Sequence, residues 1–329
     1  MLPAGKVPPE ILEKIFKTLG SEDERVLVGP GTGIDFAAIS FGDKATVAST
    51  DPITGAVEDI GFYAVHVNAN DIAVSGARPR WFLVTILLPE DSDEELPVRI
   101  MRDIDREAKK LGISIVGGHT EVTSGLKRPI VVGTVLGEVE KGKLVIPNGA
   151  KPGDAIVMTK WAGLEGTSII AREREEELKN VFGESFVERA KALIEYISVL
   201  PEAMILREFA DAMHDPTEGG IANGLHEMAD ASGLGFRVFL DRIPVREETA
   251  RICEFYDLDP LALIGSGSLL AAVPRDHARF VVERLLAKGI NAAVIGEFLA
   301  EKKRVAVANG EERPFPRPCS DELWKVFRE

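Results

Sequence analysis

Three aspartates stand inside or just after small, apolar runs. They are Asp35 in Gly33-Ile34-Asp35-Phe36, Asp51 in Ala48-Ser49-Thr50-Asp51, and Asp71 in Val67-Asn68-Ala69-Asn70-Asp71-Ile72. A buried carboxylate is costly unless a cation, a metal ion or helix-end amides pair with it. Carboxylates that converge from separate elements make a hard-cation site. They suit Mg²⁺, which uses few carboxylates and completes its shell with water and substrate phosphates. Taken singly, each has a plainer reading, and Asp51 at the end of a β-rich run reads as a turn or cap residue.

Two further segments carry polar groups where ligands often bind. Ile115-Val116-Gly117-Gly118-His119-Thr120-Glu121 reads as a strand running into a diglycine turn. Diglycine lets a backbone approach a ligand closely, and strand ends are common ligand sites in α/β folds. A lone histidine such as His119 is also an ordinary structural residue, and Thr120 and Glu121 suit a cap. His214-Asp215-Pro216-Thr217-Glu218-Gly219-Gly220 predicts a capping box, with Asp215 at the N-cap, Pro216 next and Glu218 two residues further on, opening a helix over 216–230. A helix N-terminus of that kind is also a phosphate site. His119, His214 and His226 lack zinc-ligand spacing. Residues 29–34 fail the dinucleotide-loop pattern, because position 34 is Ile. Residues 137–144 fail the P-loop pattern, because Leu144 stands where Ser or Thr is needed.

The chain around these residues has 329 residues, 45% of them hydrophobic, and a net charge of -14. That is ample for two domains. It also argues against nucleic acid as a partner, since a duplex needs a basic face. An anionic ligand would have to be recruited through metal cations or helix N-termini. Cys253 and Cys319 form no CxxC pair and no disulfide framework, which fits a reducing, cytoplasmic setting. No stretch approaches the ~18 apolar residues of a membrane span.

Periodicity predicts the elements that position the candidates. Ile11, Leu12, Ile15, Phe16 and Leu19 make a helical stripe over 9–19. Short strands follow at 26–28, 37–39 and 45–49, then an apolar helix over 60–76 and a buried strand, WFLVTILL, at 81–88. A charged amphipathic helix spans about 93–111, with strands at 113–116 and 130–139. Turn residues at 148–154 mark a boundary, so the expected domains are 1–148 and 149–329. The second half reads as a strand at 155–160, helices at about 168–180 and 186–197, the DPTEGG helix, strands at 236–240 and 268–273, a helix at 276–288 and a strand at 291–295. The fold class is α/β.

Read in order, GPGTGIDFAAI, ASTDPI, DIGFYAVHVNANDIAVSGARP, IVGGHTE and DPTEGGIANGLHEMADASGLG resemble the aminoimidazole ribonucleotide synthetase superfamily. Its members include the HypE proteins, selenophosphate synthetase and thiamine-monophosphate kinase. The resemblance runs from about residue 5 to 300 and leans toward archaeal, HypE-like synthetase-related proteins. It implies an N-terminal α/β domain whose sheet pairs across a homodimer, a C-terminal α/β domain, and ATP as the bound nucleotide. By motif, Asp35, Asp51, Asp71 and Asp215 would hold Mg²⁺. Lys6, Asn68, Asn70, Gly117, Gly118, His119, Thr120 and Glu121 would lie along the nucleotide, and Asp71 and His119 are the catalytic candidates.

The implied activity is ATP- and Mg²⁺-dependent phosphorylation of an oxygen on a small substrate, of the kinase or the dehydratase and cyclase type. The alternatives are a HypE-like hydrogenase maturation factor and a non-catalytic ATP-binding scaffold. Departures from the family pattern are Ile34 in place of an aspartate, Glu218 in place of the HypE arginine, and no reactive cysteine near the N-terminus. Pro316-Arg317-Pro318-Cys319 resembles the HypE terminus, Pro-Arg-Ile-Cys, but SDELWKVFRE follows it. That tail should keep the thiol out of an active site, so Cys319 is expected to be a loop cysteine before a short terminal helix. WFLVTILL lacks alternation, is expected to be covered on both faces, and is the candidate strand near the dimer interface.

Overall fold

A computed structural model describes residues 7, 9–20, 23–31, 33–54 and 59–327. The chain divides into two compact units. Residues 23–29 and 35–144 form one, and the described residues of 1–22, 30–34 and 145–329 form the other. The first helix, α1 (Pro9–Phe16), groups with the second unit.

The N-terminal unit contains β1 (Val26–Val28), β2 (Ala37–Phe41), β3 (Lys44–Ile53), α2 (Ile60–Val74), β4 (Arg78–Leu88), α3 (Glu95–Leu111), β5 (Ser114–Val122) and β6 (Ile130–Glu140). Its sheet runs in the order β1-β2-β3-β6-β4-β5. All neighbours are antiparallel except β4 and β5. All of α2 except Phe62 and Val67 is buried, as expected of a helix that is apolar all round. It packs on β3, β6 and β4, with α3 beside it. Gly61 admits α3, because a Cβ there would stand 2.9 Å from the Ile100 carbonyl oxygen. Gly112, at φ 71, ends α3 in the left-handed conformation.

Three strands differ from expectation in ways that matter for the site. β3 runs on to Ile53, so Asp51 is a strand residue rather than a turn. β5 continues through the diglycine to Val122. The glycines serve the sheet, for a Cβ on Gly118 would lie 1.9 Å from the Val84 carbonyl oxygen of β4. β4 alternates after all: Phe82, Val84, Ile86 and Leu88 are buried on the helix side. Trp81 and Leu83 are 40% and 38% exposed on the other side, because helices cover only one face of the sheet.

The C-terminal unit contains β7 (Ala155–Thr159), α4 (Leu164–Glu173), α5 (Glu175–Phe182), α6 (Glu184–Lys191), α7 (Leu200–Leu206), β8 (Ala212–His214), α8 (Gly220–Ser232), β9 (Gly235–Phe239), α9 (Glu247–Tyr256), β10 (Leu269–Val273), α10 (Arg275–Leu286), β11 (Ala292–Leu299), β12 (Arg304–Ala308), β13 (Glu311–Pro314) and α11 (Leu323–Phe327). Its sheet order is β13-β12-β9-β11-β7-β10-β8. One core gathers α8 and the sheet around Met158, Leu225, Phe236 and Phe298. A second gathers α4, α5, α6, α9 and α11 around Ile170, Phe186, Ile252 and Leu323. The helix expected at 168–180 is two helices, α4 and α5, broken at Arg174, whose φ of -117° and ψ of 30° lie outside the helical region. Among the described residues, no helix is long and apolar enough to cross a membrane.

Candidate functional site

The site begins with strand periodicity. Ser49 and Asp51 are two apart on β3, so their side chains leave the same face. Asp51 is in register with Gly133 and Ser49 with Val135, and that face meets α2. Asn68 and Asp71, three apart on α2, face the strand in turn. Ser49 Oγ lies 2.5 Å from Asp71 Oδ2 and 2.8 Å from the Asp35 carbonyl oxygen. Asn68 accepts the Asp51 backbone N–H at 2.9 Å. It donates to the Ala64 carbonyl at 2.9 Å and to the Asp51 carbonyl at 3.3 Å. Asn68 is fully buried and Asp71 is 5% exposed. A Cβ on Gly133 would stand 2.5 Å from Asn68 Nδ2, so the clamp requires glycine there.

The structure therefore brings Asp51, Asn68 and Asp71 together, with Asp35 tied in through its backbone. Asn68 spends its amide on β3 and α2 rather than on an external ligand. Asn70 is fully buried in the same helix. Among the described residues, no group of three or more His, Cys, Asp or Glu side chains is arranged to hold a metal ion.

The Gly117–Glu121 segment lies elsewhere. His119 and Glu121 pair in register with Thr85 and Leu87, on the face away from α2. One chain thus carries Asp71 and His119 on opposite faces of its sheet. His119 Nε2 lies 3.1 Å from Glu121 Oε2, and both side chains are exposed. The Thr123 hydroxyl, and then His119, hold the Glu121 carboxyl below its usual range. Thr120 is also exposed on this edge strand. Lys6 lies outside the described residues.

Asp215 belongs to the C-terminal unit and is 1% exposed after β8. The expected capping box does not form. The helix starts at Gly220, because Gly219 takes a left-handed conformation at φ 78. The Gly219 N–H is bound at 2.6 Å by Asp321 Oδ2, so the expected phosphate site is filled by the chain's own carboxylate. Glu165 is buried nearby, and its Oε2 has no hydrogen-bond partner among the described residues. Burial, with Asp321 and Glu218 adding to it, pushes Glu165 up to about 7. Burial likewise pushes Asp321 up to about 6. His226 lies 3.0 Å from the Phe315 carbonyl through Nε2 and 2.9 Å from Arg304 through Nδ1. Burial and Arg304 push it down to about 4, which makes it a satisfied structural histidine.

Residues 33–139 match the N-terminal domain model of the AIR synthase related proteins, and residues 151–309 match the C-terminal domain model. The "Putative hydrogenase expression/formation protein MJ0676" of Methanocaldococcus jannaschii is 33% identical over 337 residues, covering 96% of this chain and 97% of that protein. The chain belongs to the AIR synthase related family. Within it, the carbamoyl dehydratase HypE of Rhodobacter capsulatus is 29% identical, covering 98% of this chain and 95% of that one. The structure of a hydrogenase maturation protein HypE in complex with ATP superposes with a TM-score of 0.72 at 26% identity, covering 95% and 91% of the two chains.

For this AIR synthase related chain, sequence reasoning passed over Ser49, Gly133, Glu165 and Asp321. Ser49 carried a signal, since period two places it on the Asp51 face. Gly133, isolated in an apolar strand, signalled a close approach. Glu165 and Asp321 meet only through the fold, and nothing local announces either.

Proposed function

We propose that the chain is an ATP- and Mg²⁺-dependent enzyme that phosphorylates an oxygen of a small substrate, in the manner of a dehydratase. The observation that carries this reading is Asp71, a buried carboxylate held by Ser49 inside an otherwise apolar helix, beside Asp51 on a strand clamped by Asn68. The likeness to a carbamoyl dehydratase and to an ATP-bound HypE supports it.

Asp35, Asp51 and Asp71 offer only oxygen donors, which suits Mg²⁺. A metal held by one or two carboxylates and completed by phosphates needs no preformed group of three. When bound, Mg²⁺ neutralises charge on the phosphates during transfer. The chain's own part is to fix Asp71 and the strand that bears Asp51. Phosphorylating a carbonyl or amide oxygen makes it a leaving group, and its departure as phosphate completes a dehydration.

The acceptor is a separate molecule and not this chain's own thiol. Cys319 is exposed, but the segment around it is fastened down. Arg317 pairs with Asp230 at 3.1 Å, Asp321 binds Gly219, Arg174 donates to the Val326 carbonyl at 2.7 Å, and Leu323 and Val326 are buried. Burial, with Asp259 and Glu322 adding to it, pushes the Cys253 thiol up to about 12, which makes it unreactive as an acceptor.

The open sheet face, with Phe41, Trp81 and Leu83 exposed, supports a homodimer in which a second copy covers it. Light scattering at micromolar concentration is expected to give twice the monomer mass. A monomer throughout would count against the pairing.

The activity is tested by following ADP release with ATP, Mg²⁺ and carbamoyl-bearing acceptors. Release that depends on an acceptor is expected. No release with any acceptor, together with a tight stoichiometric protein partner, would favour the scaffold reading instead.

A further inference from the structure

The C-terminal sheet carries a groove on the face away from α8. Along β7 and β9, Ile156, Met158, Phe236 and Val238 belong to the core shared with α8, so Ala155 and Phe239 leave the opposite face. On that face α10 lies against β11 and β7. A helix about 10 Å wide covers about two strands set ~4.8 Å apart, and β9 is the next strand along the sheet. The space left between α10 and β9 is a groove of about 570 Å³, within the roughly 300–1,000 Å³ of small-ligand pockets. β11 runs along its floor and is bulged there, between Val294 and Gly296. Bulges are over-represented next to active sites, where they re-aim side chains.

Ala278 and Val282 of α10 and Phe239 of β9 supply apolar walls, and three arginines line the same groove in a chain of net charge -14. Two of the three are committed. Arg275 donates to Glu297 at 2.6 Å, and Arg279 donates to Glu283 at 2.9 Å. Glu297 also accepts from Arg237 at 2.8 Å. Arg242 differs. It ends the helical turn Leu240–Arg242, and its guanidinium carbon lies 4.2 Å from the centroid of the Phe239 ring. Among the described residues it has no carboxylate partner. A guanidinium on an aromatic face keeps its N–H groups in its own plane, where they match a carboxylate bidentately. We propose that this groove is a second ligand site, for a small organic carboxylate with a flat, apolar body. The body lies between α10 and Phe239, and the carboxylate accepts from Arg242. One uncommitted positive charge matches a monoanion. A triphosphate needs more cations than that, so this site does not take ATP.

The test titrates the full chain calorimetrically with three probes: naphthoate, which has the flat body and the carboxylate, naphthylmethanol, which has only the body, and inorganic phosphate, which has only the charge. Naphthoate is expected to bind at one site per chain and at least about tenfold more tightly than either of the others, the usual worth of a hydrogen bond to a charged group. Arg242→Ala is expected to weaken naphthoate by about tenfold and to leave naphthylmethanol unchanged. Val282→Glu, which sets a negative charge on the apolar wall, is expected to abolish naphthoate binding. Both positions are at least partly exposed, and melting curves check that the variants fold. Saturating ATP with Mg²⁺ is expected to leave naphthoate bound. Equal affinity for naphthoate in the wild type and a folded Arg242→Ala would overturn the proposal. So would displacement of naphthoate by ATP, or no naphthoate binding to the wild type.

Discussion

Each unit buries a polar cluster, and the two clusters set their carboxylates in different surroundings. In the N-terminal unit, Asp71 is met by a hydroxyl, and the strand bearing Asp51 is clamped by an amide whose own hydrogen bonds are all made at home. In the C-terminal unit, burial pushes Glu165 up to about 7 and Asp321 up to about 6, against the hydrogen bonds that each accepts. The same contrast separates the two segments that looked like ligand sites in the sequence. The Asp71 helix keeps its carboxylate beside donors, whereas the amide at the start of α8 is closed by Asp321.

The sharpest break in this contrast is Gly133→Ala. The new methyl would meet Asn68 Nδ2 at 2.5 Å and Phe82 Cε2 at 2.7 Å, two side-chain ends that are fully buried, the first of them pinned by its hydrogen bonds to β3 and α2. A loss of about 3 kcal/mol is expected in denaturant unfolding, with weakened ATP binding, because overpacking a filled core costs about 1–3 kcal/mol and here also opens the clamp. Unchanged stability would mean that Asn68 does not hold Asp51 as described.

Glu165→Gln sharpens the other side. Burial raises the folded pKa of Glu165 from 4.5 to about 7. The folded state therefore keeps a proton that the unfolded chain gives up at lower pH. Its contribution to stability is complete below about pH 4 and is lost as the pH rises through about 7. The amide cannot ionise, so Glu165→Gln is expected to match the wild type near pH 4 and to exceed it by roughly 2 kcal/mol at pH 8. Calorimetric melting at the two pH values decides this, and parallel curves for the two proteins would contradict it.

The smallest effect is expected at Cys319. The residue is exposed on a fastened segment, so Cys319→Ser should leave ATP turnover unchanged and shift stability by less than about 0.5 kcal/mol. Collapse of turnover, or a carbamoyl group found on this thiol by mass spectrometry, would place the acceptor on the chain itself.

Much of the N-terminal unit was legible in the sequence because its signals are local. The apolar helix over 60–76 reads directly from composition, and Asp71 stands out as a charge within it. The GGHTE segment reads as a strand ending in a diglycine turn, but β5 runs on through it, because Gly118 admits the neighbouring β4, a role its sequence does not announce. DPTEGG misled similarly, since the capping-box pattern is overridden by Gly219 at positive φ. WFLVTILL reads as covered on both faces because each of its sides is apolar, although within one chain only one is covered. Contacts such as Gly219 with Asp321, 102 residues apart, have no sequence signal short of the fold.

The central claim is that Asp71 is an anion kept for a metal–nucleotide complex, and one titration tests it most directly. ATP is titrated calorimetrically into the wild-type protein and into Asp71→Asn, each with and without Mg²⁺. The wild type is expected to bind ATP in a Mg²⁺-dependent manner, and Asp71→Asn to lose at least ~1–3 kcal/mol of that binding, the usual cost of removing a charged partner, while keeping its melting temperature. Equal ATP affinity in the two proteins, with only the melting temperature altered, would contradict the claim and leave Asp71 a structural residue.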